Sequence, residues 1–66
     1  MSKLNSWITV KSYLTGKFEV ELLQDQYGRY RIRYQQHGED QYSEWITDFI
    51  TASVLFDIKL QELEGH

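Results

Sequence analysis

The sequence contains no cysteine and no proline, and the missing cysteine limits how so short a chain can be stabilised. It can form no disulfide, and its two histidines, His37 and His66, lie far apart with no thiolate near either. We therefore expect no structural metal and no other cofactor. A domain of 66 residues buries only about 60% of its unfolded surface. Its stability must come from a dense aromatic and aliphatic core or from oligomerisation.

Long apolar runs are also missing. No stretch approaches the about 18 consecutive apolar residues that indicate a transmembrane helix, and the N-terminal sequence MSKLNSW lacks the apolar segment of a signal peptide. We expect residues 1–66 to form a single small domain in the cytoplasm, with no membrane partner.

The net charge of −3 is divided unevenly along the chain. Residues 1–34 hold six basic and three acidic side chains, whereas residues 35–66 hold one basic and seven acidic ones. Opposed charges can neutralise one another on paired elements of the fold, or they can match a charged partner. Both interpretations are open at the level of sequence.

Four segments alternate apolar and polar residues with the period of a half-buried strand. We predict strands over about 6–13, 17–24, 29–36 and 41–46, the last being the weakest. Gly16, Gly28 and Gly38 lie in the short connections, which favour an antiparallel meander because parallel pairing needs a long crossover. The stretch 41–50 can be a strand, a loop or the start of a helix.

The C-terminal segment has helical periodicity over about 51–64, with Thr51 as the expected cap and Asp48 as an earlier alternative. Gly65 lies where helices commonly end in the left-handed conformation. The face expected against the sheet consists of Ala52, Leu55, Phe56, Leu60 and Leu63. The predicted fold is therefore α+β, a three- or four-stranded antiparallel β-meander with one C-terminal α-helix packed on one face.

Val54 and Ile58 lie together on a flank of this helix, outside the face expected against the sheet. They can pack on the edge of the sheet, or they can form a surface for self-association or for a protein partner. Trp45 and Trp7 have a similar pair of interpretations. A tryptophan such as Trp45 commonly closes the end of a small core, and it is also a frequent interface anchor.

The third predicted strand has arginine at every second position. Arg29, Arg31 and Arg33 alternate with apolar and aromatic residues that are expected to face the core, so the arginines should point to the other side. There they can pair with Glu19 and Glu21 of the second strand in a cross-strand network. Alternatively, the arginines can bind nucleic acid.

In the nucleic-acid interpretation, Lys11 and Trp7 join the arginines on the outer side, where Trp7 is a platform for stacking bases. The strand–strand–helix spacing, with Trp45, Phe49, Thr51 and Ala52 before the helix, resembles that of plant AP2-type and integrase arm-type DNA-binding domains. This resemblance covers about 35 residues and implies a sheet that reads DNA. Those domains carry a more basic sheet, however, and the acidic residues here would repel phosphates.

The sequence offers no group of residues typical of an active site. There is no cysteine nucleophile, and neither histidine has a serine at a meaningful spacing. We expect a non-enzymatic protein, either an adaptor or regulator that binds protein and can form a homodimer, or a nucleic-acid binder.

Overall fold

The computed structural model describes residues 7–65, which form one four-stranded antiparallel sheet and one helix. The elements are β1 (Ile8–Leu14), β2 (Phe18–Gln24), β3 (Tyr30–Gln36), β4 (Glu39–Tyr42) and α1 (Phe49–Glu64). The strands lie in the order β1-β2-β3-β4, and α1 packs on β2 and β3. The predicted α+β meander with one helix on one face is confirmed. The predicted start of the first strand at residue 6, and His66, lie outside the described residues.

The core lies between α1 and the two central strands. In the register of β2 and β3, Leu22 is opposite Ile32 and Val20 is opposite Tyr34. The buried residues of the cluster are Phe18, Val20, Leu22, Ile32, Ala52 and Phe56. Because side chains alternate across a strand, Arg31 and Arg33 lie on the opposite side of the sheet from Ile32. We call this side, which α1 does not cover, the outer face.

The fourth strand is displaced from its predicted position at 41–46. It begins at Glu39 and ends at Tyr42. At Ser43 a side chain replaces a backbone carbonyl as the hydrogen-bond acceptor: the Ser43 hydroxyl oxygen accepts the amide N–H of Ile32 at 2.9 Å. Ile46 then forms an isolated bridge to Tyr30. The chain therefore stays beside β3 as far as Ile46 without being a regular strand.

The helix begins two residues before its expected start. The Asp48 carboxylate accepts the amide of Thr51 at 2.7 Å and the Thr51 hydroxyl at 2.9 Å, so Asp48 is the cap and Thr51 lies in the first turn. These hydrogen bonds hold the pKa of Asp48 below its ordinary value. At the other end Gly65 has φ −67°, so the expected left-handed termination is wrong. No helix within residues 7–65 is long and apolar enough to cross a membrane.

A β-bulge changes the orientation of side chains along β1. Thr9 is opposite Leu23, whereas Lys11 is opposite Leu22, so the register shifts by one residue between Thr9 and Lys11. Lys11 consequently lies on the helix side, where its amine donates to the Ser53 hydroxyl at 3.0 Å. Its predicted position on the outer face beside the arginines is wrong, because the bulge reverses the alternation.

Candidate partner-binding surfaces

Two surfaces on opposite sides of the molecule combine exposed apolar groups with defined geometry. One is the helix ridge, which we define as Ile50, Val54 and Ile58 on α1. The other is the outer cluster, which lies on and beside the outer face and consists of Trp7, Leu23, Arg31, Tyr42 and Trp45. Within residues 7–65 no group of three or more histidine, cysteine, aspartate or glutamate residues could hold a metal ion.

The helix ridge points away from the sheet. Its members recur every fourth residue, and each lies two positions from buried Ala52 or Phe56, which is about 160° around a helix. Their exposed fractions are 72% for Ile50, 51% for Val54 and 45% for Ile58. The ridge is therefore a continuous row of β-branched side chains, inclined to the helix axis, that the fold itself does not cover.

Leu55 was expected against the sheet, but it is 39% exposed. The helix is centred over the sheet on Ala52 and Phe56, and Leu55 lies about 100° around the axis from Phe56, at the margin of the buried face. It extends the apolar surface of α1 toward the helix ridge. Lys59 lies on the same side of the helix one turn after Leu55, with its amine 4.3 Å from the centre of the Tyr34 ring.

Trp7 and Trp45 form the aromatic part of the outer cluster. Their ring centroids are 5.3 Å apart and their planes are inclined by 28°, which is a stacked arrangement. Trp45 follows β4 and is 37% exposed, so it does not belong to the core beneath α1. Leu23 is buried without being part of that core, and it lines an open groove with Trp7, Arg31 and Tyr42. The outer face thus has a small apolar centre of its own.

Two guanidinium groups converge on Trp45. The central carbon of Arg29 lies 4.3 Å from the ring centroid and that of Arg31 lies 4.5 Å from it, both within cation–π range. Arg29 is neutralised by Asp25 at 2.8 Å. Arg31 instead donates its Nε–H to the Ser43 carbonyl at 2.9 Å. Among the described residues, Arg31 is the arginine of the row for which no carboxylate lies within ion-pair distance.

Arg33 is the centre of a compact network of charges. It lies 3.1 Å from Glu19, 3.0 Å from Glu21 and 2.8 Å from Asp40. Burial acts to lower the pKa of the guanidinium, but the hydrogen bonds that it donates to Glu21 and Glu19 outweigh this effect, so the pKa of Arg33 is raised. This is the cross-strand network expected from the sequence, and each of the three guanidinium nitrogens of Arg33 has a carboxylate partner.

The structure brings together some of the residues singled out in the sequence and separates others. Trp7, Trp45 and Arg31 belong to the outer cluster, and Arg29 contacts it through Trp45. Val54 and Ile58 form part of the helix ridge, and Lys11 belongs to neither surface. The sequence interpretation missed Ile50, Leu23 and Tyr42. Asp48 as the cap would have placed Ile50 on the helix, and Leu23 stands out as an apolar residue at an outward position of β2.

No family model, curated protein or solved structure matches this chain at a significant level. The resemblance in spacing to AP2-type and integrase arm-type domains therefore has no matching family model beside it.

Proposed function

We propose that this protein is a small non-enzymatic adaptor or regulator that binds protein and acts as a homodimer joined through the helix ridge. The observation that carries the proposal is the row Ile50, Val54 and Ile58 on the side of α1 opposite the core. Exposed apolar rows of this kind are typical of interaction surfaces. The second copy is the occupant that the geometry of the ridge favours.

A ridge with four-residue spacing is complementary to itself. If two helices pair antiparallel about Val54, Ile50 meets Ile58 of the partner subunit, and the ridges interdigitate as in common helix packing.

The small core gives a second reason for pairing. Only seven hydrophobic residues among those described are buried, and the chain has no disulfide. Burial of apolar surface contributes roughly 25 cal/mol per Å², so covering the ridge adds stability that the isolated domain lacks. Oligomerisation is a common solution for domains of this size.

The dimer is tested by sedimentation or light scattering at two protein concentrations, comparing wild type with Val54→Asp. Two carboxylates would meet at the centre of the interface, so we expect the dissociation constant to rise at least about thirtyfold. Leu14→Asp is the matched control, because Leu14 is 74% exposed but lies on β1; it should remain dimeric. A wild-type protein that stays monomeric at high concentration would overturn the homodimer.

Nucleic-acid binding is the second candidate, and it is supported by the stacked tryptophans beside Arg31. Few positive charges on the outer face are available to contact phosphates, since Arg33 and Arg29 are paired with carboxylates and Lys11 lies on the helix side. A titration with mixed DNA and RNA at low and moderate salt tests this function. Binding that weakens steeply with salt would support it, and no binding at low ionic strength would eliminate it.

A further inference from the structure

The protein fixes the orientation of the Arg31 guanidinium through one of its N–H groups and leaves the remaining N–H donors available. Its Nε–H donates to the Ser43 carbonyl, and its central carbon lies over the rings of Trp45 and Tyr42, 4.5 and 5.2 Å from their centroids. The two terminal nitrogens carry four further N–H groups. No carboxylate among residues 7–65 lies within ion-pair distance of them. A guanidinium held in this way can receive a carboxylate through two parallel hydrogen bonds.

An apolar groove lies directly beside these donors. It has a volume of about 370 Å³ and is lined by Trp7, Leu23, Arg31 and Tyr42. Trp7 precedes β1 and Tyr42 ends β4, and the Trp7 indole extends over the sheet to stack on Trp45, so the groove occupies part of the outer face.

We propose that the outer cluster binds a short acidic segment of another protein, with one carboxylate on Arg31 and an adjacent aromatic or aliphatic side chain in the groove. Aromatic walls and a buried leucine floor suit the apolar side chain, and the oriented guanidinium suits the carboxylate. This inference does not depend on the homodimer, because the helix ridge lies on the opposite side of the molecule.

The chemistry of the surroundings favours a peptide with one or two carboxylates over a nucleic acid. Phosphates recur along a nucleic-acid strand and need several free cations, whereas Glu19, Glu21 and Asp40 already surround Arg33. A peptide can place a single carboxylate on Arg31 and leave the acidic neighbours in water. The openness of the groove also suits a chain that lies across the sheet better than a small molecule, which needs an enclosing pocket.

The experiment uses the fluorescence of Trp7 and Trp45, which are the two tryptophans of the chain. The probe is the peptide acetyl-Gly-Phe-Asp-Gly-amide, and the reference is the same peptide with Asn in place of Asp. We expect the acidic peptide to bind at least about tenfold more tightly, which is typical of a charge-assisted hydrogen-bonded pair. Arg31→Gln should abolish this preference, and Arg31→Lys should keep only part of it because lysine lacks the planar fork.

Lys17→Gln is the matched control, since it removes one exposed positive charge away from the groove; it should change affinity less than about twofold near 0.15 M salt. If Arg31→Gln fails to fold, Tyr42→Ala removes one wall of the groove and should weaken both peptides. The Val54→Asp variant should bind the acidic peptide as wild type does.

Three results would overturn the proposal. The first is equal affinity for the Asp and Asn peptides. The second is an affinity in folded Arg31→Gln that equals that of wild type. The third is tighter binding of oligothymidylate than of the acidic peptide, with a steep dependence on salt, which would assign the outer cluster to nucleic acid.

Discussion

At the scale of single residues, Asp25 organises the turn between β2 and β3 and holds one side of the outer cluster in place. Its carboxylate accepts the amides of Tyr27 and Arg29 at 2.9 and 2.8 Å and pairs with the Arg29 side chain. Burial acts to raise the pKa of Asp25, but the hydrogen bonds from Arg29 and Tyr27 prevail, so the pKa is lowered. The ionised form is therefore the one that stabilises the turn.

This lowered pKa predicts how stability depends on pH. The folded-state pKa lies below the value of 3.8 that the free side chain has, so the contribution of Asp25 is complete above that value. It is lost as the pH falls through the folded-state pKa. Asp25→Asn should be less stable than wild type in urea at about pH 7, and the difference should shrink toward about pH 3. A difference that is equally large at both pH values would contradict this assignment.

At the scale of elements, the hairpin between β3 and β4 depends on backbone conformation more than on contacts. Gln36 pairs with Glu39, so His37 and Gly38 form a two-residue loop. Both have positive φ, 61° and 83°, the pattern of the type I′ turn that suits the twist of paired strands. Glycine adopts this conformation freely, whereas a residue with a Cβ is strained in it.

Gly38→Ala should consequently destabilise the protein by about 1–2 kcal/mol, since a left-handed non-glycine residue costs roughly this amount. Gly16→Ala is the matched control, because a Cβ at that turn meets no atom within 4 Å and the backbone there is not left-handed. It should change the free energy of unfolding by less than about 0.5 kcal/mol. Urea denaturation of both variants makes the comparison, and equal losses would show that conformation is not the cause.

The elements also show what the sequence could and could not predict. Alternation identified β2 and β3 and the inward direction of Ile32, because a strand with one covered face must alternate. The alternation predicted the wrong side of the sheet for Lys11. The bulge arises from the pairing of β1 with β2 and cannot be recognised in the sequence of β1 alone. The helix start was ambiguous because Asp48 and Thr51 are both good caps, and only the contact between them decides which one acts.

The candidate surfaces were predictable in part for a related reason. The arginine row and the apolar flank of the helix follow from periodicity alone. The stacking of Trp7 on Trp45 does not, since the two residues are far apart in the chain and meet only when the sheet forms. Nor does the difference between Arg31 and Arg33, which depends on which carboxylates lie opposite each of them.

At the scale of the whole molecule, apolar surface is shared between a small core and several exposed patches. The described chain measures 39 × 27 × 16 Å, so it is flat, with one helix on one side of one sheet. A single layer of this kind leaves both the far side of the helix and the outer face of the sheet in contact with water. The two proposed interactions therefore use opposite sides of the same small domain.

If pairing through the helix ridge stabilises the fold, resistance to unfolding must depend on concentration. The thermal midpoint of wild type should rise with protein concentration, because association favours the folded subunits by mass action. The midpoint of Val54→Asp should stay constant over the same range. Calorimetry or circular dichroism at several concentrations measures this, and a wild-type midpoint independent of concentration would argue against the dimer.

The bulge in β1 also bears on how copies of this chain avoid the wrong kind of association. Within the described chain β1 has β2 on one side only, and it carries exposed Ile8, Val10 and Leu14, so its free edge could template further strands. A bulge interrupts the regular spacing of edge donors and acceptors, and the inward-turned charge of Lys11 would be buried by an added strand. Open-ended polymerisation by strand addition at this edge is thereby disfavoured, whereas the proposed pairing through α1 gives a closed dimer.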